Sequence, residues 1–329
     1  MDPSLYKHVK TQRGFTYAYY FSAPTTGKPV LFFAHGFPCS STLWRAQVAF
    51  FAPRGYGIVV PDLLGYGGTD KPVDPKLYVG GGLAQDVVDI LDEEGIARVI
   101  AIGHDWGSYL VSRMINHHPS RVAACGFVTV GYSAPSAVYR EVLTQPPGLM
   151  TQRVGYENFA YMRFFAQPNA AEIIEKNLDS FLCLFYPESS AIWRDNMCVE
   201  GGARAWVENN RMNPLALYMT TELVEHERTA LLRGGIAAPL CWFKVNLEDA
   251  KAADDSTVPP EAHFVTQPLL FVACTRDAAC LPIFGDTNHR KYAQGEVTRQ
   301  ELDGDHWVLE SHPTEISRIL DEWIIGLDV

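Results

Sequence analysis

A tight turn around Asp105 constrains the fold more than any other feature of this sequence. The apolar run VIAIG at 99–103 is typical of a strand buried on both faces, and Gly-x-Asp-x-Gly and the helical stretch YLVSRMINHH follow it. Gly103 and Gly107 stand where any side chain would crowd the turn. The pattern therefore predicts that Asp105 projects into a cleft at the carboxyl edge of a sheet. The simpler alternative is that Asp105 only caps the helix that follows.

Strands and helices alternate along the first third of the chain. Val30 to Ala34, Gly57 to Pro61 and Val99 to Gly103 are short apolar runs bounded by turn residues, as expected for buried strands. Leu43 to Phe51 and Leu83 to Glu94 carry apolar residues at helical spacing. Such βαβ units predict an α/β fold with a mostly parallel sheet, and they place function at the carboxyl ends of its strands.

A long helical insertion interrupts the sheet after the apolar run from Cys125 to Val130. From 133 to 246 the sequence is helical and aromatic-rich, and it contains no comparable buried-strand run. Strand character returns at Leu269 to Cys274, and a further strand and a closing helix follow. We therefore expect a core built from residues 1–132 and 247–329, with a helical cap of residues 133–246.

The net charge and the cysteine content limit the kinds of binding partner and the cellular compartment that we expect. A formal net charge of −11 without a local Lys/Arg cluster disfavours nucleic-acid and anionic-membrane partners. The N-terminal residues MDPSLYKHVKTQRG lack an apolar run, and no stretch of about 18 apolar residues occurs, so we expect neither export nor a membrane span. Seven cysteines without a C-x-x-C pair indicate a reducing, cytoplasmic setting. We expect no metal and no organic cofactor, and either a monomer or a homodimer.

Asp in place of the serine of the common Gly-x-Ser-x-Gly turn changes the chemistry. A carboxylate needs no base to deprotonate it near neutral pH, and its attack on an sp³ carbon gives an alkyl ester that water later cleaves. Attack on an ester or amide would instead give an anhydride. Asp105 therefore disfavours esterase, lipase and peptidase activity and favours the opening of a polarised carbon.

Two late loops supply partners for Asp105. In proteins with this kind of turn the order along the chain is nucleophile, acid, histidine. Asp277 follows the strand LLFVAC closely, and His306 follows the strand VTRQEL and precedes the last helix. We expect His306 to activate water for attack on the ester, and Asp277 to hold the histidine in the required tautomer. Asp303 and Asp305 fit the position of the acid less well, because they lie next to the histidine.

A loop after the first apolar strand supplies backbone donors. It contains the motif HGFP, which begins at His35. We expect the N–H of Phe37 in this loop, together with the N–H of Trp106 after the nucleophile, to bind developing negative charge. Pro38 is expected to follow a cis peptide bond, which a tight turn of this kind can use. The alternative is an ordinary turn.

Four motifs carry a resemblance to a known family. HGFP at 35–38, PDLLGYGGTDKP at 61–72, GHDWGS at 103–108 and GDHW at 304–307 resemble the epoxide hydrolases of the α/β-hydrolase fold, particularly fungal soluble ones. The resemblance covers nearly the whole chain. It implies an α/β-hydrolase fold with an inserted cap and the hydrolysis of an epoxide to a vicinal diol, through an ester on the turn's aspartate.

The resemblance also implies that two cap tyrosines donate hydrogen bonds to the epoxide oxygen. Tyr161, in FAYMRFFAQP, matches the first of them. The second falls at Phe243, in PLCWF, which has no hydroxyl. Tyr218, in NPLALYMTTE, is the alternative donor. Trp106 and Trp307, which flank the nucleophile and the base, predict an apolar pocket for a small hydrophobic epoxide.

Other functions stay open at this level. A haloalkane or haloacid dehalogenase uses the same Asp–His–Asp set to displace halide, and Trp106 suits the first of these. A fluoroacetate dehalogenase has arginines in the nucleophile helix, where Arg113 has only the distant Arg121 as a companion. The missing hydroxyl at Phe243 also permits a specialised biosynthetic protein that opens an epoxide without hydrolysis.

Overall fold

One eight-stranded sheet forms the centre of the part of the chain, residues 1–328, that this computed structural model describes. Its strands in chain order are Tyr6–Lys10 (β1), Thr16–Ser22 (β2), Val30–Ala34 (β3), Gly57–Pro61 (β4), Val99–His104 (β5), Val122–Val128 (β6), Leu269–Cys274 (β7) and Val297–Leu302 (β8). Their order across the sheet is β1-β2-β4-β3-β5-β6-β7-β8. The pairs β1–β2 and β2–β4 are antiparallel, and every other pair is parallel. The predicted mostly parallel α/β sheet is confirmed.

Helices pack around this sheet. They are Arg45–Phe51 (α1), Gly80–Glu93 (α2), Trp106–His117 (α3), Val138–Thr144 (α4), Leu149–Val154 (α5), Ala160–Phe165 (α6), Ala170–Lys176 (α7), Leu178–Phe185 (α8), Gly202–Glu208 (α9), Thr221–Gly234 (α10), Cys241–Lys244 (α11), Asp249–Ser256 (α12), Pro282–Tyr292 (α13), Val308–Ser311 (α14) and Pro313–Ile325 (α15). None of the helices in the described residues is both long and apolar enough to cross a membrane.

The central strands are the apolar runs of the sequence. Every residue of β3, β4, β5, β6 and β7 is buried, because helices cover both faces of a parallel sheet. The edge strand β1 is mostly exposed, which explains why it was not expected, whereas β2 is mostly buried but has a tyrosine-rich sequence in place of an aliphatic run. β1 and β2 form a hairpin that adds the antiparallel edge.

Two element boundaries differ from the expected ones for local reasons. β6 begins earlier than the apolar run CGFVTV and ends at Val128, because Thr129 takes a positive φ of 64° that breaks the strand. The stretch EIIEKNLDSFLCLFY is two helices, α7 and α8. They meet at Asn177, whose φ of −125° and ψ of 44° are not helical.

The helical insertion lies between β6 and β7 and comprises α4 to α12. Its last helix, α12, is fastened to the core helix α2, since the N–H of Gly81 donates to Asp254 at 2.8 Å. The domain boundaries at 133 and 246 stay a prediction. The insertion covers the carboxyl edge of the sheet, where the turn around Asp105 lies.

Candidate active site

The turn at Asp105 joins β5 to α3 in a backbone conformation rare for residues other than glycine. Asp105 has a φ of 54° and a ψ of −123°. A Cβ on Gly103 would lie 2.4 Å from the carbonyl oxygen of Gly107, and a Cβ on Gly107 would lie 2.0 Å from that of Ala34. Both glycines are therefore needed for the close approach of β5, α3 and the loop after β3. The turn holds the carboxylate at the edge of the sheet.

The loop after β3 meets the carboxylate directly. The N–H of Phe37 donates to Oδ1 of Asp105 at 2.8 Å. Gly36 lies so close that a Cβ there would be 2.2 Å from the same oxygen, so the approach requires glycine. The peptide bond between Phe37 and Pro38 is cis, as the motif predicts.

Asp105 is a buried carboxylate with nearby groups that stabilise its charge. Burial raises its pKa, while His306 and the backbone N–H groups of Trp106 and Phe37 lower it; the net pKa lies above the ordinary value. The amide pair is the one expected to bind negative charge. An oxyanion that forms on the carboxyl carbon of Asp105 would accept hydrogen bonds from the same two N–H groups.

His306 faces Asp105 on one side and Asp277 on the other. Its Nδ1 donates to Oδ2 of Asp277 at 2.6 Å, and its Nε2 lies 3.7 Å from Oδ2 of Asp105. Asp277 is fixed in turn, because its Oδ1 accepts the N–H groups of Ala279 at 2.9 Å and Cys280 at 2.8 Å. Although they are separated by up to 201 positions in the sequence, the three side chains are thus arranged in the order Asp105, His306, Asp277, like a catalytic triad.

The pKa shifts of His306 and Asp277 follow from the positions of these three side chains. Burial lowers the pKa of His306, but the charge and hydrogen bond of Asp277 and the charge of Asp105 raise it, and the net pKa lies above the ordinary value. Burial raises the pKa of Asp277, but His306 and the two amides lower it below its ordinary value. Asp277 is therefore an anion that stabilises a protonated His306.

His104, which no sequence motif selects, positions the base. Its Nε2 donates to the carbonyl oxygen of His306 at 2.8 Å, and the two rings lie 4.8 Å apart. Burial lowers the pKa of His104 to about 3, so the ring is neutral. His104 connects the end of β5 to the loop of the base. Its only signal in the sequence is its place next to Asp105.

Two other predicted residues hold loops and do not line the cavity around Asp105. His35 accepts the N–H of Leu63 at its Nε2 at 3.0 Å, and its Nδ1 donates to the carbonyl of Gly36 at 2.9 Å. Trp307 donates its indole N–H to the carbonyl of Phe185 at 2.6 Å. Both side chains therefore have backbone hydrogen-bond partners, and Trp307 lines a small pocket beside Asp277 and His306. The substrate-binding role expected for them stays a prediction.

A small cavity of about 30 Å³ opens above the nucleophile. It is lined by Asp105, Trp106 and Tyr161, and further by Tyr109, Val130, Ser133, Tyr139, Phe159, Met162 and Cys280. Among described residues the hydroxyl of Tyr161 has no hydrogen-bond partner. Burial raises its pKa well above the ordinary value, so the hydroxyl is a neutral donor.

Phe243 and Tyr218, the two candidates for the second hydroxyl position, occupy different surroundings. The ring of Phe243 packs edge-on against Trp106 at 5.2 Å and against Phe37 at 5.0 Å. Neither side chain lines the 30 Å³ cavity, and Tyr218 lies near other groups: burial, and then the charges of Asp305 and Glu310, raise the pKa of its hydroxyl well above the ordinary value. The structure brings Phe243 to the site and places Tyr218 elsewhere.

A second cavity, of about 510 Å³, adjoins the first. Val130, Ser133, Tyr139, Phe159 and Cys280 line both cavities. The larger cavity also reaches exposed residues such as Arg153 and Lys291. A ligand that reacts at Asp105 can therefore extend into the larger cavity.

Asp277, Cys280 and His306 are the group of described residues that could present ligand atoms to a metal ion. The atoms of Asp277 and His306 are already bonded to each other. Burial and the neighbouring carboxylates raise the pKa of the Cys280 thiol well above its ordinary value, which disfavours the thiolate a metal needs. These residues suit proton transfer better than metal binding.

Several known proteins are similar in sequence to this chain. A sequence profile described as the alpha/beta hydrolase fold matches residues 29–159. The chain is 28% identical to epoxide hydrolase A of Mycobacterium tuberculosis over 325 residues, which cover 92% of each protein. It is 27% identical to bifunctional epoxide hydrolase 2 of Sus scrofa over 306 residues, and it spans about half, 51%, of that protein.

Solved structures are similar over the whole chain. Epoxide hydrolase A from Mycobacterium thermoresistibile superposes with a TM-score of 0.80 at 26% identity, covering 98% of this chain and 99% of the other. An epoxide hydrolase from Vigna radiata superposes with a TM-score of 0.75 at 20% identity, covering 98% of each. Together with the sheet order, these similarities show that the chain has the α/β-hydrolase fold.

Proposed function

We propose that this α/β-hydrolase-fold protein is an epoxide hydrolase, which opens an epoxide to a vicinal diol through an alkyl ester on Asp105. The observation that carries the proposal is the 3.7 Å separation between Nε2 of His306 and Oδ2 of Asp105. As a carboxylate, Asp105 has no proton for His306 to remove before it attacks. Such a base is useful only in a later step, the hydrolysis of a covalent ester.

In the first step, Oδ2 of Asp105 attacks one epoxide carbon and the bond from that carbon to the epoxide oxygen breaks. Oδ1 is held by the N–H of Phe37 at 2.8 Å, which directs Oδ2 towards the cavity. The released oxygen takes a proton from a hydroxyl donor, for which Tyr161 lines the cavity. The product of this step is a hydroxyalkyl ester.

In the second step, His306 takes a proton from a water molecule, which attacks the ester carbonyl carbon of Asp105. The carbonyl oxygen becomes an oxyanion, and the N–H groups of Phe37 and Trp106 are positioned to stabilise it. Asp277 stabilises the imidazolium that forms. Collapse of the tetrahedral intermediate breaks the ester C–O bond, and the imidazolium gives its proton to the departing oxygen to form the diol. The carboxylic acid left on Asp105 loses its proton to solvent, which restores the carboxylate.

The similarity to epoxide hydrolase A over 92% of both chains supports this reaction. We also infer a hydrophobic epoxide as the substrate, because aromatic rings surround the cavity at Asp105. A reducing compartment is consistent with cysteines that are all free in the described chain. The particular resemblance to fungal enzymes stays a prediction.

Dehalogenation is less well supported by the surroundings of Trp106. The other indole N–H groups near the site, those of Trp193, Trp242 and Trp307, each donate to a backbone carbonyl, so none is free to pair with Trp106 around a halide. Arg113 is fully buried and pairs with Asp255, so it cannot hold the carboxylate of a haloacid in the cavity.

The test is the trapping of the ester. The His306→Gln variant, incubated with aryl and alkyl epoxides, should gain the whole mass of the epoxide on Asp105, as located by peptide mass spectrometry. The His312→Gln variant, which changes a histidine outside the site, is the control and should turn over without accumulating ester. A haloalkane adduct that has lost hydrogen halide, with no epoxide adduct, would assign a dehalogenase. An unmodified Asp105 across all epoxides would refute the proposal.

A further inference from the structure

Ring opening needs a proton donor at the departing oxygen, and the pocket around Asp105 offers few. Tyr161 brings one hydroxyl to the cavity. Phe243, edge-on to Trp106, brings none. When the C–O bond breaks, the oxygen gains a full negative charge in an apolar space, where one hydrogen bond leaves most of that charge unstabilised. A second donor, if the chain supplies one, must come from another element.

Tyr139, on α4, has the required position. Its ring lies 5.8 Å from that of Trp106 and 5.4 Å from that of Phe159. It lines the 30 Å³ cavity together with Asp105 and Tyr161. No described residue forms a hydrogen bond with its hydroxyl. A tyrosine hydroxyl next to a nucleophile, without a partner of its own, is free to bind a ligand oxygen.

The other hydroxyls near this cavity are placed differently. Tyr109 lines the cavity with its ring, but its oxygen lies only 2.8 Å from the position a Cβ on Gly80 would take, on the side of α2. Burial, and then the charge of Asp105, raise the pKa of Tyr66, but its hydroxyl is fully buried and Tyr66 does not line the cavity. Ser133 lines both cavities with a shorter side chain, and it is the competitor that an experiment must separate from Tyr139.

We propose that Tyr139 is the second hydroxyl donor to the epoxide oxygen and acts with Tyr161 in place of the hydroxyl missing at Phe243. The inference rests on the proposed epoxide hydrolase function and names the residue that completes its first step. As Asp105 forms the new C–O bond, the epoxide oxygen leaves carbon with the bonding electron pair. It takes the proton of one tyrosine while the other donates a hydrogen bond, and solvent later returns the proton to the tyrosinate.

The environment of Tyr139 suits a donor. Burial, followed by the charges of Cys280 and Asp105, raises its pKa above the ordinary value, and Tyr161 is affected in the same direction. Both side chains are therefore neutral hydroxyls at neutral pH. A phenol is still a stronger acid than an alcohol, so proton transfer to the alkoxide is favourable.

The location of Tyr139 also predicts the orientation of the bound substrate. Tyr139 is one of the residues shared by the cavity at Asp105 and the 510 Å³ cavity next to it. An epoxide oxygen bound by Tyr139 and Tyr161 therefore lies near the boundary between the two cavities. The remainder of the substrate extends into the larger cavity.

The test measures the two chemical steps separately. In the His306→Gln background, the rate at which styrene oxide adds to Asp105 is followed by intact-protein mass, with Y139F, Y161F, S133A or Y156F added. We expect Y139F and Y161F each to slow ester formation about 10- to 100-fold, which is less than the roughly 100- to 1,000-fold cost of losing an oxyanion donor, because the other tyrosine remains. Y156F, a matched change of a cap tyrosine whose hydroxyl donates to the carbonyl of Ala278 at 2.5 Å, should leave the rate unchanged.

Two further measurements distinguish a donor from a structural residue. With His306 intact, Y139F should leave the hydrolysis of the preformed ester unchanged, because that step needs no donor at the epoxide oxygen. F243Y should restore ester formation in the Y139F background and should raise it little in the otherwise unchanged site. If Tyr139 is not a donor, F243Y alone adds a missing donor and should raise the rate about 10- to 100-fold.

The outcomes separate this inference from the proposed function. If His306→Gln forms an adduct and Y139F forms it equally fast, or if only S133A slows it, Tyr139 is not the donor and the epoxide hydrolase assignment stands. If His306→Gln forms no adduct with any epoxide, the proposed function itself fails. Should Y139F fold poorly by circular dichroism, the size of the gain in F243Y alone decides the question.

Discussion

At the scale of single residues, the two ring nitrogens of His306 have separate tasks. Nδ1 is committed to Asp277 at 2.6 Å, and Nε2 faces Asp105 at 3.7 Å. Because Asp277 is an anion with three hydrogen bonds, it stabilises the protonated form of the histidine. The pKa of His306 is therefore raised, and the base loses activity below a pH that is higher than for a free histidine.

The Asp277→Asn variant should move this pH dependence. Removing the negative charge lowers the pKa of His306, so the fall of ester hydrolysis in acid should shift to lower pH. The maximum rate should also drop about 100-fold or more, because the histidine loses its tautomer partner and its charge stabilisation. Ester formation should change much less. The rates are read from single-turnover experiments with styrene oxide between about pH 5 and 9.

The control for this variant is Asp303→Asn, an exposed neighbour of the same loops. It should leave the pH dependence of hydrolysis in place. An Asp277→Asn profile that coincides with that of the unchanged protein would contradict the role assigned to Asp277.

At the scale of elements, α10 shows how the insertion packs on the core. Thr220 caps the helix by accepting the N–H of Leu223 at 3.3 Å, and the amphipathic stretch TELVEHERTALL was expected to be helical. Its buried face carries Glu227, near the ion pair of Arg45 and Glu310 on the core. Burial and Glu310 raise the pKa of Glu227 to about 8, while Arg45 lowers it. The contact therefore holds a protonated carboxyl group.

Glu227 should make stability depend on pH. Its folded pKa lies above the unfolded value, so its protonation stabilises the fold fully at low pH, and this contribution is lost as the pH rises from about 4.5 through about 8. The Glu227→Gln variant should lack this loss and be the more stable protein at pH 9. Urea unfolding at several pH values measures the difference. Glu225→Gln, an exposed change on the same helix, should follow the unchanged protein.

At the scale of the whole molecule, Arg113 ties both ends of the insertion to the nucleophile helix. This fully buried side chain on α3 bonds the carbonyl of Ser133, where the insertion begins, and pairs with Asp255 of α12 at 3.1 Å, where the insertion returns to the core. The guanidinium also lies over the ring of Tyr109 at 5.0 Å. Lys251, which is also buried, pairs with the same Asp255 at 2.5 Å, so two buried cations and one carboxylate hold the insertion against the core.

The Asp255→Asn variant should destabilise the fold by roughly 3 kcal/mol, because it leaves the buried charges of Arg113 and Lys251 without their anion. Asp249→Asn on the same helix breaks an exposed pair with Arg140 and should cost less than about 1 kcal/mol. The free energies of unfolding from urea titrations compare the two variants. Equal losses would show that Arg113 does not fasten the insertion.

The sequence alone determined the parts that are local. The turn of Asp105, the apolar strands and the order of nucleophile, acid and histidine all follow from short patterns, since sterics and burial act on neighbouring residues. The hairpin of β1 and β2 escaped this reasoning for two reasons. β1 is an exposed edge strand with no apolar run, and β2, though mostly buried, is rich in tyrosine and lacks the aliphatic run of the central strands.

Which distant side chains lie close together depends on the packing of the whole chain. It turned His35 and Trp307 towards backbone partners, brought His104 against the loop of His306, and placed Tyr139 next to the nucleophile. No pattern in the sequence fixes the direction of a tyrosine hydroxyl on an inserted helix. That direction is set by the packing of the insertion on the sheet, which joins residues far apart along the chain.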